Sequence, residues 1–356
     1  MLMGDHGAQD EAQVEAPGPA AWHIYRAWLH AEAKAARGRF EAALGRAQAC
    51  SGRLDCGRCW SAAVRADGRL RCWGADEESD FGEVVHIAPL RNSPPRQGRL
   101  RAVACGEDHT LALLESGEVI WFGSNHAGQA APLQAPAEAG GGAGGCFRAV
   151  AAGRWHSLGL RQDGGDVMCW GRNSERQAPR SGVRGPFRAV AAGGFHSLAL
   201  AEDGKCVRCF GQNLHGQAPH TRLCDGGGVS KGSEYVAIAA GINFSMALTN
   251  VGRVECFGSN SHGQAPELIR GRFVGIAAGG WHALLLRADG SVRCLGWNNH
   301  GQAPPEGVPG PFISVAAGPY FSVGLRADGI CECWGQNTRG QAPPEGVNID
   351  EPARDR

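Results

Sequence analysis

The stretch Ile276–Pro304 reads IAAGGWHALLLRADGSVRCLGWNNHGQAP, and its pattern recurs seven times along the 356-residue chain. Each copy opens with a Gly, two further residues and an aromatic residue or His, and it closes near a GQAP turn. Successive opening glycines lie 38 to 49 residues apart; they are Gly57, Gly106, Gly153, Gly193, Gly241, Gly279 and Gly318. A period near forty residues that is built from short strands is typical of propellers and solenoids.

Within one copy, the spacing of apolar residues predicts β-strands. Leu284 and Leu286 lie two apart, which buries one strand face. Asp289–Gly290 then predicts a hairpin turn, because Gly adopts positive φ at low cost. One such sheet cannot bury both faces, whereas seven packed radially can. We therefore predict an all-β fold, a seven-bladed β-propeller, with a short N-terminal helical extension.

The chain divides into three predicted segments. Residues 1–19 are predicted to be disordered, 20–49 to form the helical extension and 50–350 to form the propeller. The apolar residues of the extension recur at helical spacing; they are Trp22, Tyr25, Leu29, Ala36, Phe40 and Leu44. Such a helix either packs on the propeller or binds a partner.

Several segments depart from the repeat. The first copy is degenerate, with Cys59–Trp60 in place of the usual aromatic-His pair. We expect the tail near Val347–Asp350 to help complete the first blade. Three insertions follow the same turn in copies one, two and four, so they should emerge on one side of the ring as specificity loops or as plain spacers; they span Val84–Leu100, Pro132–Cys146 and His220–Glu234.

Composition narrows the function classes. The formal net charge is zero, which disfavours nucleic acid or an anionic membrane as a whole-surface partner, and no apolar run is long enough to span a membrane. Six of the fourteen cysteines occupy the same strand position in six different copies, too far apart for bridging. Free thiols and the absence of a visible signal peptide predict a cytoplasmic or nuclear protein.

The repeat resembles that of the regulator-of-chromosome-condensation family, whose hallmark is Gly-x-x-His-Ser/Thr, Asp-Gly and a final Gly-Gln. The matching segments are GEDHT (106–110), GRWHS (153–157), GGFHS (193–197) and GGWHA (279–283). The resemblance implies a seven-bladed propeller. Members of that family include an exchange factor for a nuclear Ras-like GTPase, a plant UV-B photoreceptor, propellers of large ubiquitin ligases and a bacterial lactamase inhibitor, so the fold does not settle the function.

The repeat histidines lie in separate copies, and Phe244 and Phe321 occupy the same position, which a metal site would not accept. We interpret the histidines as structural, bonded to residues of the Ser157 or Ser197 type. The structural repeat residues are Gly106, His109, Gly153, His156, Gly193, His196, Gly241, Gly279, His282 and Gly318. His215, His262 and His300 are expected to be solvated loop residues. No metal site, cofactor or catalytic set is predicted.

The position before the repeat His holds the candidate partner-binding residues. If the His points into the blade, strand alternation points its neighbour outward. Trp155, Phe195, Trp281 and Tyr320 would then form an aromatic arc on one rim, where exposed aromatics favour partner binding. The alternative is that they pack against the next blade. Asp108 is the fifth candidate, because the exchange factor of the resembled family has an acidic residue at this position.

These observations predict a non-catalytic scaffold for protein–protein interaction that acts as a monomer. The alternatives are a guanine-nucleotide exchange factor for a small Ras-like GTPase, or the substrate-binding propeller of a ubiquitin-ligase system. Photoreception is disfavoured, because the resembled photoreceptor has Trp directly after the opening Gly, where this chain has residues such as Arg154 and Gly280. A one-residue shift along a strand moves a side chain to the other face.

Overall fold

The computed structural model describes residues 19–50, 52–74, 98–130, 146–219 and 233–351. The predicted disordered terminus before Pro19 and nearly all of the three insertions lie outside these residues. The chain divides into two compact units, Met1–Ala42 and Ala43–Arg356. Helix α1 (Pro19–Ala49) begins in the first unit and ends in the second. Within the second unit, Leu44 packs against a cluster that includes Ile276.

The second unit contains seven antiparallel sheets, each with three main strands in chain order. The first four are β1 Leu54–Cys56, β2 Trp60–Val64, β3 Leu70–Gly74; β4 Leu100–Cys105, β5 His109–Leu114, β6 Val119–Gly123; β7 Phe147–Ala152, β8 His156–Arg161, β9 Val167–Gly171; and β10 Phe187–Ala192, β11 His196–Ala201, β12 Val207–Gly211. The last three are β13 Tyr235–Ala240, β14 Phe244–Thr249, β15 Val254–Gly258, β16 Leu268–Ile269; β17 Phe273–Ala278, β18 His282–Arg287, β19 Val292–Gly296; and β20 Phe312–Ala317, β21 Phe321–Arg326, β22 Ile330–Gly335, β23 Val347–Asn348.

The middle strand of each sheet is its most buried element. All six residues of β5 and of β14 are buried. The hydrophobic clusters lie between neighbouring sheets; for example, Trp60 and Leu70 of the first sheet share a cluster with Val103 and Leu114 of the second. Each sheet thus buries its faces against its neighbours, and the all-β, seven-bladed propeller is confirmed.

The predicted Asp-Gly hairpin is present in the blade that contains Asp289 and Gly290. The Gly290 N–H donates to the Arg287 carbonyl at 3.0 Å, and the Asp289 carboxylate accepts from the Ser291 N–H at 2.8 Å. Gly290 has φ +86°, and a Cβ there would lie 2.8 Å from the Cα of Pro311. Both the turn and the close approach of the next segment therefore require glycine.

The ring closes through side chains. The prediction that the tail near Val347–Asp350 completes the first blade is wrong, because β23 pairs with β22 and becomes a short fourth strand of the seventh blade. The tail follows β22 after a short connection, so folding back antiparallel on that strand is the nearest pairing. Ile349 nevertheless packs in a cluster with Leu54 of the first blade, and Arg65 donates to the Asp350 carbonyl at 3.0 Å.

The cysteines are mostly free. Twelve cysteines in the described ranges are free thiols, including those of the repeated strand position. Burial raises the pKa of Cys169, Cys209 and Cys256 to about 12, as expected for thiols that act as small apolar side chains. Cys206 is disulfide-bonded, which the strand-position argument did not anticipate.

The packing of the tail between the first and seventh blades leads to a prediction about stability. Ile349→Ala removes a 5% exposed side chain between the first and seventh blades, so the free energy of unfolding should fall by about 2–4 kcal/mol in urea titration. Leu268→Ala, at a 44% exposed side chain of the short strand β16, is the matched control and should change it by less than about 0.5 kcal/mol. Equal effects of the two substitutions would contradict closure through Ile349.

Candidate partner-binding rim

The aromatic residue or His that begins each middle strand reaches into the next blade. We call this position the slot. In four blades the slot holds a fully buried His whose Nε2 lies 2.7 to 2.9 Å from a Ser Oγ of the next blade; the pairs are His109–Ser157, His156–Ser197, His196–Ser245 and His282–Ser322. Each Ser also donates to a buried Gln carbonyl at 2.7 to 2.9 Å; the acceptors are Gln129, Gln177, Gln217 and Gln302.

This relay fixes the protonation of the slot histidines. A serine hydroxyl has one proton, and it is donated to the Gln carbonyl, so the His must donate through Nε2–H. The Nδ1 atoms are then unprotonated and have no partner. Burial lowers the pKa of His109, His196 and His282 to about 3 and that of His156 to about 4. These four imidazoles are neutral connectors between blades.

Where the slot residue changes, its partner changes as well. Trp60 donates through Nε1 to Thr110 Oγ1 at 3.1 Å, which connects the first two blades. Phe244 meets no hydroxyl, because Ala283 stands at the serine position of the sixth blade and both residues lie in one apolar cluster. Neither junction leaves the slot side chain with an unmatched polar group, which is costly when buried.

The opening glycines are required by contact. Gly279 has no positive φ, but a Cβ there would collide with the His282 ring and with the carbonyl oxygen of Gly318 in the next blade. The same pair of collisions occurs at Gly106, Gly153 and Gly193. The glycine therefore makes room for the slot ring at the blade junction.

The residue before the slot and the residue after the third strand form a pair on blades two to seven. The backbone N–H of the second donates to the carbonyl of the first at 2.8 to 2.9 Å. We call these positions the rim; its pairs in blades two to seven are Asp108/Ser124, Trp155/Arg172, Phe195/Gln212, Asn243/Ser259, Trp281/Trp297 and Tyr320/Gln336. Because the backbone geometry repeats, differences between blades arise from the side chains.

One cluster on the rim combines aromatic and arginine side chains. We call Trp155, Phe195, Arg154 and Arg172 the arginine–aromatic patch. The Trp155 and Phe195 rings meet edge to face at 5.6 Å between centroids. The Arg154 and Arg172 guanidinium groups lie 4.2 and 4.9 Å from the Trp155 centroid. Arg154 also forms a salt bridge with Glu107, which holds its guanidinium in place.

A second cluster is almost wholly aromatic. We call Trp281, Trp297 and Tyr320 the tryptophan–tyrosine patch; their ring centroids lie 5.6 to 5.8 Å apart. The three side chains are partly exposed. His300 is exposed, and its ring lies 5.2 Å from Trp297 and 5.7 Å from Tyr320. This loop histidine therefore borders the patch.

The structure resolves the predicted arc into two contacting pairs. Trp155 meets Phe195, and Trp281 meets Tyr320, each across a blade junction; the fifth blade, with Asn243, stands between them. Both expectations for these aromatics hold in part, since they pack on the next blade and remain partly exposed. Asp108 lies in the second blade and is only 7% exposed.

Sequence reasoning missed Trp297 and the two arginines of the arginine–aromatic patch. It examined only the position before the slot. The position after the third strand is found by counting one residue past the final aromatic-Gly, where the chain has Arg172 and Trp297. Arg154 occupies the residue after an opening Gly.

The described residues offer no metal centre, because no group of three or more His, Cys, Asp or Glu side chains is placed to hold an ion. No helix in the described ranges has the length and apolar content needed to cross a membrane.

Comparison with known proteins identifies the repeat. The model of the regulator of chromosome condensation (RCC1) repeat matches six stretches, 100–129, 147–177, 187–217, 235–264, 273–302 and 312–341, which cover the second to seventh blades and about half of the chain. The chain is 32% identical over 139 residues to the human probable E3 ubiquitin-protein ligase HERC6, and 39% identical over 75 residues to human protein RCC2. These segments cover 36% and 19% of this chain, and only 14% of either relative.

Solved structures share the fold. Human WBSCR16 aligns with a TM-score of 0.63 at 21% identity, covering 79% of this chain and 93% of that one. Prp20p from Saccharomyces cerevisiae, whose structure was described with its binding to Gsp1p and histones, aligns with a TM-score of 0.58 at 21% identity over 78% and 85% of the two chains. The ectodomain of the Arabidopsis thaliana receptor kinase ACR4 aligns at 0.59 and 20%, over 82% and 98%.

The neutral slot histidines make stability depend on pH. Their pKa is about 3 to 4 in the folded chain and about 6.5 in the unfolded chain, so only the unfolded chain takes up these protons as the pH falls below about 6.5. The stabilisation is complete above about pH 6.5 and is lost towards pH 4. Each such His should lower the free energy of unfolding by up to about 1.4 kcal/mol per pH unit.

The double variant His156→Phe with Ser197→Ala tests this contribution, because it copies the natural Phe244–Ala283 junction. Urea titrations between about pH 7 and pH 4.5 should give a shallower decline than the wild type, by up to about 1.4 kcal/mol per pH unit. Parallel curves for the two proteins would contradict the neutral, buried state of His156.

Proposed function

This chain belongs to the regulator of chromosome condensation (RCC1) repeat family, and from that premise we propose that it is a non-catalytic propeller that binds a partner protein through its rim. The observation that carries the proposal is the arrangement of two partly exposed aromatic patches on one rim, one of them bearing stacked arginines. Trp, Tyr and Arg are the side chains that dominate binding energy at protein interfaces.

The rest of the described structure supports contact rather than catalysis. The four slot histidines are buried, neutral and engaged between blades. The rim aromatics pack against one another across blade junctions, so little side-chain entropy would be lost when a partner covers them. We propose the cytosol or nucleus as the location, supported by the free thiols at the repeated strand position, to which the disulfide-bonded Cys206 does not belong. The proposed unit is a monomer.

Replacing Trp155 and Trp281 together with Ala should weaken partner binding. Each truncation removes one aromatic ring from one patch, and loss of two such contacts should cost about 2 kcal/mol or more of binding free energy. The measurement is affinity capture from native lysate, followed by titration of the recovered partner. Trp121→Ala is the matched control, because Trp121 is 41% exposed on β6 and lies outside both patches.

Circular dichroism and thermal melting of both variants show whether a loss of binding comes from unfolding. A double variant that unfolds would show that the aromatics hold the core, and the rim assignment would be wrong. A folded double variant that captures the same partner with unchanged affinity would remove the proposal. A small GTPase or a ubiquitin-system protein among the captured partners would choose between the finer functions.

Guanine-nucleotide exchange on a small Ras-like GTPase is the second candidate, supported by the acidic residue before the slot of the second blade and by the fold shared with Prp20p. It predicts that Asp108→Ala slows release of fluorescent GDP from a captured GTPase. Because Asp108 is buried, its carboxylate would act by positioning the rim backbone rather than by direct contact. Release that is unchanged in a folded Asp108→Ala protein would eliminate this candidate. A substrate-binding role in a ubiquitin-ligase system is supported by the similarity to HERC6 alone.

A further inference from the structure

The two rim patches are built on the same backbone but differ in charge. In the third blade the Arg172 N–H donates to the Trp155 carbonyl at 2.8 Å; in the sixth, the Trp297 N–H donates to the Trp281 carbonyl at 2.9 Å. Trp297 therefore stands where the third blade has Arg172. The residue after the opening Gly is Arg154 in the third blade and Gly280 in the sixth. Both positions that supply a guanidinium to one patch carry none in the other.

The third blade shows what these aromatic faces attract. Within the described ranges, all cation–π contacts lie at Trp155 and Phe195, and the cation in each of them is Arg154 or Arg172. An aromatic face is electrostatically negative, and the planar guanidinium stacks on it with less loss of hydration than an ammonium group. The tryptophan–tyrosine patch has partly exposed rings of the same kind, and no arginine or lysine among the described residues stacks on them.

Local charge also favours a cationic guest there. The position after the opening Gly is charged in the first three blades, where Arg58 and Arg154 flank Glu107 and both form salt bridges with it. In the last four blades this position is uncharged; the residues are Gly194, Ile242, Gly280 and Pro319. A guanidinium that approaches Trp281 therefore meets no arginine from this row of neighbouring blades.

We propose that the tryptophan–tyrosine patch binds an arginine side chain of the partner protein, in the way that Trp155 holds Arg154 and Arg172. This inference rests on the proposed function and names the chemistry of the partner: an extended segment with an accessible arginine that stacks on Trp281, Trp297 and Tyr320. The full chain thus carries one patch filled by its own arginines and one open to an arginine from outside.

Fluorescence anisotropy with three labelled peptides tests the chemistry. Each peptide consists of Gly and Ser with Arg, Lys or citrulline at every third position; citrulline keeps the shape of arginine without its charge. At about 0.15 M salt, where long-range attraction is screened, the Arg peptide should bind the full-length protein roughly tenfold more tightly than the citrulline peptide. It should also bind severalfold more tightly than the Lys peptide.

The variant Trp297→Arg tests the place. It recreates the third-blade arrangement, so the new guanidinium should occupy the patch and weaken binding of the Arg peptide roughly tenfold. Leu214→Arg is the matched control, because it adds the same charge to the fourth blade at a side chain that is 82% exposed and lies outside the rim pairs and both patches. It should change the affinity by less than about twofold.

The outcomes separate this inference from the proposed function. Equal affinities for the Arg and citrulline peptides, or an unchanged affinity in a folded Trp297→Arg protein, overturn the arginine site. Neither result decides the proposed function, because partner capture by the rim is tested separately with the Trp155 and Trp281 double variant. Arginine-dependent binding that Trp297→Arg abolishes and Leu214→Arg preserves supports the assignment.

Discussion

The hydrogen-bond relay from a slot His to the Ser of the next blade, and from that Ser to a Gln carbonyl, is the contact on which the ring depends. It joins three chain segments from two blades at fully buried side chains, where an unmade hydrogen bond is expensive. The relay also explains three recurring features of the sequence together. The opening glycine makes room for the imidazole ring of the slot His. The serine bonds both this ring and a Gln, and the turn that contains the Gln supplies the carbonyl acceptor.

The first blade shows how the ring tolerates a divergent member. It lies outside the stretches that match the family model, yet it is fastened on both sides. Toward the second blade, Trp60 donates to Thr110, and the partly buried Asp55 carboxylate accepts from the Cys105 N–H at 2.8 Å. Burial raises the pKa of Asp55 to about 6. Toward the seventh blade, Ile349 and Arg65 make the contacts, so different side chains replace the relay.

The sequence predicted the number of blades and the hairpins, because a forty-residue period and Asp-Gly turns arise from local physics. It did not reveal the first strand of each blade, such as Phe273–Ala278, whose small residues do not alternate strongly. It misassigned Val347–Asn348, because pairing of a two-residue strand is decided by what lies beside it in space. The sequence revealed the rim aromatics that stand directly before the slot. Trp297 was missed because it stands after the third strand, at the second position of a rim pair, and this pairing is visible only in space.

The separation of connector and contact residues lets this fold vary its surface without losing the ring. Strand alternation buries His282 and leaves Trp281, one residue earlier, partly exposed. The buried residue must satisfy the next blade, whereas its neighbour only has to keep a backbone carbonyl available to the residue after the third strand. Asp108, Trp155, Asn243 and Tyr320 can therefore share one backbone geometry. Under the proposed function, differences among the rim pairs of blades two to seven carry the recognition chemistry, while the slots beneath them are constrained by packing.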